Sequence, residues 1–312
     1  MAIYTKLHKN DIQKIADDYA LTVVHFEPIE GGAGNSNYIL RTRQGDYVLT
    51  IFEEKTLAEA SREGQLLLLL QEHEFPTTRL LLSDKGNITT TYRGKPVMIK
   101  VYIVGKVYQD LDEAMLRQVG AAMARLHQLP VPDFLLDELP YGVQHFSSAM
   151  GRNIDPEYEA WAARRFAYLE RRIPAGLPRS LIHSDVFYDN VLFVGKKFQA
   201  IIDFDDAVYY YKAFDLGMGM VGSCQEGSTL ALDKARALVE GYQQVRALDE
   251  REKQTLQLFA EYAATAISCW RFWKYHIHNP TAAKADKHWQ MVRLAGEIGD
   301  IPEAKFLKAI FG

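Results

Sequence analysis

The amino-acid sequence predicts an α+β protein with two lobes, a small lobe built on an antiparallel sheet followed by a mostly helical lobe. Three observations predict this organisation. Before residue 104, short apolar runs alternate with glycine-containing turns, which is typical of antiparallel strands. From residue 111 onward, most segments repeat their apolar residues at helical spacing. The length of 312 residues suits two domains or one bilobal enzyme, and we place the lobes at residues 1–103 and 104–312.

The composition argues against several classes of partner. The chain has 36 Lys and Arg against 40 Asp and Glu, whereas a nucleic-acid interface needs a clustered excess of basic residues. No segment approaches the ~20 apolar residues of a membrane span, and the N-terminal residues lack the apolar core of a signal peptide. Neither Cys224 nor Cys269 belongs to a metal-binding pattern. We therefore expect a cytoplasmic protein with neither a nucleic-acid nor a membrane partner.

The first lobe is predicted to begin with a helix and a pair of strands. Asn10 can cap a helix over Asp11–Tyr19, because the apolar residues there recur at helical spacing. Two further apolar runs, Tyr38–Thr42 and Tyr47–Phe52, flank a glycine-containing turn. This pattern predicts a β-hairpin.

A glycine-rich loop precedes the hairpin. Successive glycines let backbone N–H groups approach an anion closely, because no side chain intervenes. Such a loop by itself is more often a simple turn, and its position upstream of an acidic stretch favours a phosphate-binding function. We therefore expect Gly31, Gly32 and Gly34 to contact phosphate through the backbone, and Asn35 and Ser36 to add polar contacts.

A long helix and one more strand complete the first lobe. Leucines cluster along Leu57–Glu72, and this helix is predicted to end before Pro76. The mostly apolar run Val97–Gly105 is predicted to be the last strand, leading into the connection between the lobes.

Helical periodicity dominates the second lobe, apart from a connecting region at 131–152 that is rich in Pro, Gly and polar residues. At the end of the first of these helices, His127 is interpreted as a structural residue. The predicted helices are Leu111–Leu129, Pro156–Arg172, Leu230–Val245, Asp249–Phe272 and Ala282–Ile298.

The stretch Leu181–Leu216 carries the densest acidic and amide chemistry in the chain. It is predicted to form strand, loop, strand, turn and strand, which places Asp185, Asn190 and Asp203 at strand ends. Any one of these residues alone would more often serve a turn or a helix cap. Mg²⁺ prefers one or two carboxylates together with substrate phosphates. Asn190 and Asp203 can therefore serve as its protein ligands, which leaves Asp185 available as a base.

The order and spacing of these residues resemble the catalytic motifs of kinases. His183-x-Asp185-x4-Asn190 has the spacing of the kinase catalytic loop, and Asp203-Phe204-Asp205 follows where kinases carry Asp-Phe-Gly. Ser184 in place of Arg, and Asp in place of the last Gly, make the pattern similar to the aminoglycoside phosphotransferase and choline kinase superfamily. The resemblance implies a bilobal protein-kinase-like fold.

The same resemblance implies ATP and Mg²⁺ as cofactors and roles for several residues. Asp185 would accept the proton of the substrate hydroxyl. Val101 and Ile103 would bind adenine through the backbone of the hinge, and His183 and Asp215 would orient the catalytic loop. The expected partners are ATP and a small molecule.

One kinase feature is missing from the sequence. Protein kinases carry a lysine on the third strand that pairs with a helix glutamate and binds the nucleotide phosphates. Here Thr50 stands at the strand position, and Glu63 stands at the helix position. Two alternatives follow: either Glu63 is a solvated helix residue, or another cation, Lys55 or Lys100, replaces the missing lysine.

A narrower resemblance extends over most of the chain. The segments that carry it are Tyr4-Thr5, 31–38 (GGAGNSNY), 47–53 (YVLTIFE), 183–190 (HSDVFYDN) and 271–273 (RFW). Together they are similar to the bacterial homoserine kinases of this superfamily, which use ATP to phosphorylate the side-chain hydroxyl of homoserine in threonine biosynthesis. This resemblance implies an amino-acid kinase.

The substrate remains open between homoserine and another aminated small molecule, such as an aminoglycoside, choline or hydroxylysine. Asp205 or Asp206 could bind a substrate ammonium, and Arg271 could bind a carboxylate through its planar guanidinium. A pseudokinase that only binds a nucleotide is the alternative from another class. The presence of Asp185, Asn190 and Asp203 argues against it.

Overall fold

The computed structural model describes residues 5–29, 34–142, 146 and 149–312. The chain divides into two compact units. The first unit comprises Met1–Gly105 and Gln199–Asp205, and the second comprises Lys106–Phe198 and Asp206–Gly312. The sequence places the boundary two residues earlier and assigns all later residues to the second lobe.

The first unit is built on a six-stranded sheet with antiparallel pairing. Its strands are β1 (Val23–Pro28), β2 (Asn35–Thr42), β3 (Gly45–Phe52), β4 (Leu80–Leu81), β5 (Thr90–Tyr92) and β6 (Lys95–Val101). The strand order is β1-β2-β3-β6-β4, and β5 also pairs with β6. The last strand ends at Val101, so residues 102–105 leave the sheet earlier than the sequence predicts.

Two helices accompany this sheet. The first, α1 (Lys9–Asp17), places Ile12, Ile15 and Ala16 in the hydrophobic core with the sheet. It begins after His8 and not after Asn10, because His8 and Asp11 form the capping interactions. The second, α2 (Leu57–Glu72), has the predicted bounds.

The segment Gln199–Asp205 joins the first unit through contacts that no local sequence pattern indicates. The backbone N–H of Ile201 donates to the carbonyl of Pro76 at 3.1 Å. The rings of Phe204 and Phe75 pack edge to face at 5.9 Å. These contacts bind the end of strand β9 (Lys197–Ile201) and the residues after it to the turn that follows α2.

The second unit is mostly helical. Its helices are α3 (Glu113–Leu126), α4 (Pro156–Arg172), α5 (Lys212–Ser223), α6 (Leu232–Gln243), α7 (Glu250–Phe272), α8 (Lys287–Asp300) and α9 (Glu303–Phe311). Its short strands are β7 (Arg179–Ile182), β8 (Val191–Val194), β10 (Val208–Tyr211), β11 (Gln225–Glu226) and β12 (Thr229–Leu230). The side chain of Asp112 accepts from the Met115 N–H at 2.9 Å, and this cap starts α3 two residues later than predicted. The sequence does not predict α9.

Helices α3 and α6 pack in close backbone contact through two glycines. A Cβ added at Gly241 would lie 2.0 Å from the backbone oxygen of Arg117. A Cβ added at Gly120 would lie 1.9 Å from the backbone oxygen of Leu238. The two helices can approach this closely only without side chains at these positions.

We expect Gly241→Ala to destabilise the protein by about 1–3 kcal/mol or more, because the methyl group would force the two backbones apart. Gly296→Ala in α8 is the matched control. No atom lies within 4 Å of its added Cβ, so the higher helix propensity of alanine should stabilise by about 0.5–1 kcal/mol. Urea unfolding of both variants measures the two free-energy changes. Equal stability of the two variants would contradict the close contact.

Candidate active site

The catalytic loop, residues His183–Asn190, lies in the second unit and follows strand β7, which pairs with β10. The side-chain amide of Asn190 donates to the backbone carbonyl of Asp185 at 2.9 Å and to its carboxylate at 3.0 Å. The backbone N–H of Asp185 donates to the ring Nδ1 of His183 at 3.2 Å. Ser184 adopts a left-handed conformation with φ +66°. These bonds hold the Asp185 carboxylate in one orientation.

Asp215, in the first turn of α5, binds the backbone of the catalytic loop. It is fully buried, and its carboxylate accepts hydrogen bonds from the backbone N–H groups of His183 at 3.2 Å and Ser184 at 2.7 Å. The ring Nε2 of His127 lies 2.9 Å from the same carboxylate. Because a carboxylate can only accept, Nε2 of His127 carries the proton that it donates to Asp215.

The buried chain of hydrogen bonds continues beyond His127. Its Nδ1 lies 2.8 Å from the hydroxyl of Tyr242, which therefore donates to it. Arg246 donates to the same hydroxyl at 3.3 Å and binds Glu252 through two bonds of 2.9 Å. Burial lowers the pKa of His127, so the ring is neutral at neutral pH. No sequence signal links these residues, because His127 is 88 residues from Asp215 and 115 from Tyr242.

Asp206, which the sequence suggests as a ligand for a substrate ammonium, is tied to other parts of the second unit. Its carboxylate accepts a hydrogen bond from the hydroxyl of Tyr141 at 2.7 Å. Its backbone carbonyl accepts from the hydroxyl of Ser184 at 2.6 Å. Asp206 therefore links the catalytic loop to the segment that contains Tyr141.

In the first unit, Glu63 is the centre of a buried ion-pair cluster. Its side chain is only 5% exposed, and its carboxylate lies 2.9 Å from the ammonium of Lys55 and 3.6 Å from that of Lys100. Asp205 lies 3.2 Å from the ammonium of Lys55, and the amide of Asn35 donates to it at 3.2 Å. The alternative that Glu63 is a solvated helix residue is wrong.

The cluster also corrects the assignment of Asp205 as a ligand for a substrate ammonium. Its carboxylate is engaged by Lys55 and Asn35 within the first unit. Burial and the neighbouring Asp205 raise the pKa of Glu63 to about 8. Burial also opposes the charge of Asp205, but Lys55 outweighs it and lowers the pKa of that carboxyl. Of the two neighbouring carboxyls, Asp205 therefore ionises more readily than Glu63.

Asp203 follows strand β9 in a left-handed conformation with φ +69°, and its side chain is exposed. A non-glycine residue in this conformation is uncommon and is often found at functional sites. In the second unit, the amide nitrogen of Asn190 is used by Asp185, while its amide oxygen forms no hydrogen bond among the described residues. These two residues offer the oxygen ligands that Mg²⁺ prefers. The parts of the chain that the structure describes contain no group of three His, Cys, Asp or Glu that could hold a metal.

The glycine-rich loop is only partly described. Gly31 and Gly32 lie outside the described residues, whereas at Gly34 no atom lies within 4 Å of an added Cβ. Ser36 is buried, and its hydroxyl donates to Glu53 and accepts from the N–H of Thr5. The expectation that the Ser36 side chain contacts phosphate is therefore wrong, because its hydroxyl is used inside the first unit.

The hinge assignment is corrected at one position. The N–H of Val101 donates to the carbonyl of Arg79 at 2.8 Å, and its carbonyl accepts from Thr78 at 3.1 Å. Val101 is therefore part of the sheet and has no free N–H for adenine. Ile103 lies beyond the strand, and its backbone forms no hydrogen bond among the described residues.

Arg271, near the end of α7, is partly buried. Its guanidinium donates to the carbonyl of Lys287 and to the side chain of Gln290, both at 3.1 Å. Burial lowers the pKa of Arg271, and the phenols of Tyr275 and Tyr188 oppose this effect. Tyr188 belongs to the catalytic loop, so Arg271 lies near the loop that carries Asp185.

Two solved structures align with most of this chain and share its fold. An amicoumacin kinase in complex with AMP-PNP and Ca²⁺ aligns with a TM-score of 0.73 and 16% identity over 95% of each chain. The choline kinase LicA from Streptococcus pneumoniae aligns with a TM-score of 0.69 and 16% identity over 93% of this chain and 99% of its own. The bilobal, protein-kinase-like α+β fold is confirmed.

The chain belongs to the phosphotransferase enzyme family, whose model matches residues 25–248. A homoserine kinase from Phenylobacterium zucineum is 31% identical over 285 residues, which cover 88% of each chain. A homoserine kinase from Bartonella tribocorum is 26% identical over 98% of this chain and 100% of its own. The protein is thus a small-molecule phosphotransferase. No helix among the described residues is long and apolar enough to span a membrane.

Proposed function

We propose that this enzyme transfers the γ-phosphoryl group of ATP to the side-chain hydroxyl of homoserine, which yields O-phosphohomoserine and ADP. The observation that carries the proposal is the similarity to homoserine kinases along nearly the whole chain, at 26–31% identity. The solved structures share only the fold, at 14–18% identity, and their substrates differ from one another. They therefore do not favour a particular acceptor.

The chemistry of the second unit supports an acceptor with a carboxylate. Homoserine carries a hydroxyl, an ammonium and a carboxylate, and a buried guanidinium binds a carboxylate through two parallel hydrogen bonds. Arg271 uses one guanidinium nitrogen, Nη1, for Lys287 and Gln290. Its Nε and Nη2 have no hydrogen-bond partner among the described residues and are available to a substrate carboxylate.

Asp185 is the proposed base. As the hydroxyl oxygen forms its bond to the γ-phosphorus, the bond from phosphorus to the bridging oxygen of ADP breaks, and the hydroxyl proton passes to the Asp185 carboxylate. Asn190 holds that carboxylate by the 3.0 Å hydrogen bond, and Asp215 holds the loop backbone. Asn190 and Asp203 would hold Mg²⁺, which when bound neutralises charge on the phosphate oxygens.

A substrate panel tests the proposal. ADP release in the presence of Mg²⁺ should be fastest with homoserine among homoserine, serine, 3-aminopropan-1-ol, choline, hydroxylysine and kanamycin. The amino alcohol 3-aminopropan-1-ol is homoserine without its carboxylate. Faster turnover of that compound, of choline or of kanamycin would replace homoserine by another aminated acceptor. Absence of turnover with every compound would reject the proposed substrate.

We expect Arg271→Gln to raise the KM for homoserine by about 10- to 100-fold, because it removes hydrogen bonds to a charged group. The KM for 3-aminopropan-1-ol should not change, because that compound lacks the carboxylate that Arg271 is proposed to bind. Arg164→Gln, at an exposed position on α4, is the matched control and should leave both constants unchanged. If Arg271→Gln weakened both substrates equally, Arg271 would have only a structural function.

A further inference from the structure

The position at which kinases carry their phosphate-binding lysine holds no cation in this protein. Thr50 is 1% exposed, and its hydroxyl donates to the side chain of Asn37 at 2.8 Å. A buried threonine bound to a neighbouring strand cannot bind a phosphate. If a cation of the first unit binds the nucleotide, it must come from another position.

Lys55 has the contacts that such a cation needs. It lies in the connection between β3 and α2, three residues after Phe52, and its ammonium is 5.3 Å from the centre of the Phe52 ring. It contacts Glu63 at 2.9 Å and Asp205 at 3.2 Å. An ammonium has three N–H donors. Two of those of Lys55 are used by Glu63 and Asp205, and the third has no acceptor among the described residues. The side chain is 24% exposed, so this donor can reach a ligand.

Lys100 is the other candidate, and its contacts are fewer. Its ammonium lies 3.6 Å from Glu63, which is beyond hydrogen-bond distance, and the side chain is 17% exposed. It forms no ion pair with Asp205. Lys55 is therefore held more firmly than Lys100, and it is held by a residue two positions after Asp203, the proposed metal ligand.

We propose that Lys55 binds the phosphates of the nucleotide in place of the missing strand lysine, and that Glu63 and Asp205 position its ammonium. Asp205 stands where protein kinases carry a glycine after Asp-Phe, so its side chain adds a second anchor for this lysine. The two contacts would restrict the Lys55 side chain, as a position on a strand restricts the lysine of protein kinases. The proposal holds for any phosphoryl acceptor and does not depend on homoserine.

The first test measures binding without turnover. Calorimetric titrations of AMP-PNP, ADP and adenosine, in EDTA and in Mg²⁺, are compared for the native protein and Lys55→Met. We expect AMP-PNP and ADP to bind about 10- to 100-fold more weakly, because a charge-assisted bond to phosphate is lost. Adenosine affinity should not change. Lys55→Arg should recover part of the affinity for ADP.

Lys100→Met is the matched control, because it also removes a lysine that faces Glu63. We expect it to change the affinity for ADP less than threefold. If Lys100→Met weakened the binding of AMP-PNP and ADP but not of adenosine, and Lys55→Met weakened none of them, the function would belong to Lys100. Equal losses for ADP and adenosine in Lys55→Met would show a structural function and reject the proposal.

The two positioning residues are tested through their dependence on Lys55. Glu63→Gln and Asp205→Asn should raise the KM for ATP with a smaller effect on kcat, and each effect should disappear when Lys55 is already methionine. Additive effects would show that the carboxylates act independently of Lys55 and would overturn their part of the proposal. If Lys55→Met does not fold, Lys55→Gln, which is polar and uncharged, allows the same binding comparison.

Discussion

Replacing Asp185 with asparagine should lower kcat by about 10²- to 10⁴-fold, which is the usual contribution of a general base. The physical reason is that an amide cannot accept the hydroxyl proton. Its oxygen can still accept the 3.0 Å hydrogen bond from Asn190, so the catalytic loop should keep its conformation. We therefore expect the loss in kcat to occur without a loss of nucleotide affinity or of thermal stability.

Steady-state kinetics, calorimetric titration of AMP-PNP and thermal unfolding measure these three properties. Asp189→Asn is the matched control, because it makes the same chemical change at an exposed position of the same loop. Its kcat should remain within about twofold of the native value, since an exposed substitution seldom disturbs its surroundings. Native turnover in Asp185→Asn would remove Asp185 from the reaction.

Asp203→Asn should lower Mg²⁺-dependent turnover by on the order of 10³-fold, because a metal ligand loses its charge. Asparagine is chosen because it tolerates the left-handed conformation of Asp203, with φ +69°, better than alanine does. The fold should therefore be preserved. The affinity for ATP should fall in the presence of Mg²⁺ and remain unchanged in EDTA.

The measurement is a titration of activity and of ATP binding against Mg²⁺ concentration. Asp84→Asn, at an exposed position of the first unit, serves as the control and should behave as the native protein does. An unchanged Mg²⁺ dependence in Asp203→Asn would exclude Asp203 as a metal ligand. A loss of ATP affinity in EDTA would instead show that Asp203 maintains the conformation of the nucleotide site.

Elements with strong local signals could be predicted from the sequence. Helix α2 has the predicted bounds because Thr56 and Glu59 form a capping box at its start. Helix α4 also has the predicted bounds, because Asp155 caps it and Pro156 occupies its first turn. The order of residues between His183 and Asp205 likewise indicated a kinase, because the chemistry of phosphoryl transfer needs these residue types at these separations.

Only the tertiary structure decided which residues are brought together around those motifs. It placed Lys55 between Glu63 and Asp205, Ser36 on Glu53, and the N–H of Val101 on the backbone of Arg79. The physical reason is that these contacts depend on strand register and on packing between distant segments. The amino-acid composition of one segment does not indicate which distant segment it contacts. Local sequence therefore determined the elements and the catalytic motif, whereas packing determined which lysine, which carboxylate and which backbone groups are available to a nucleotide.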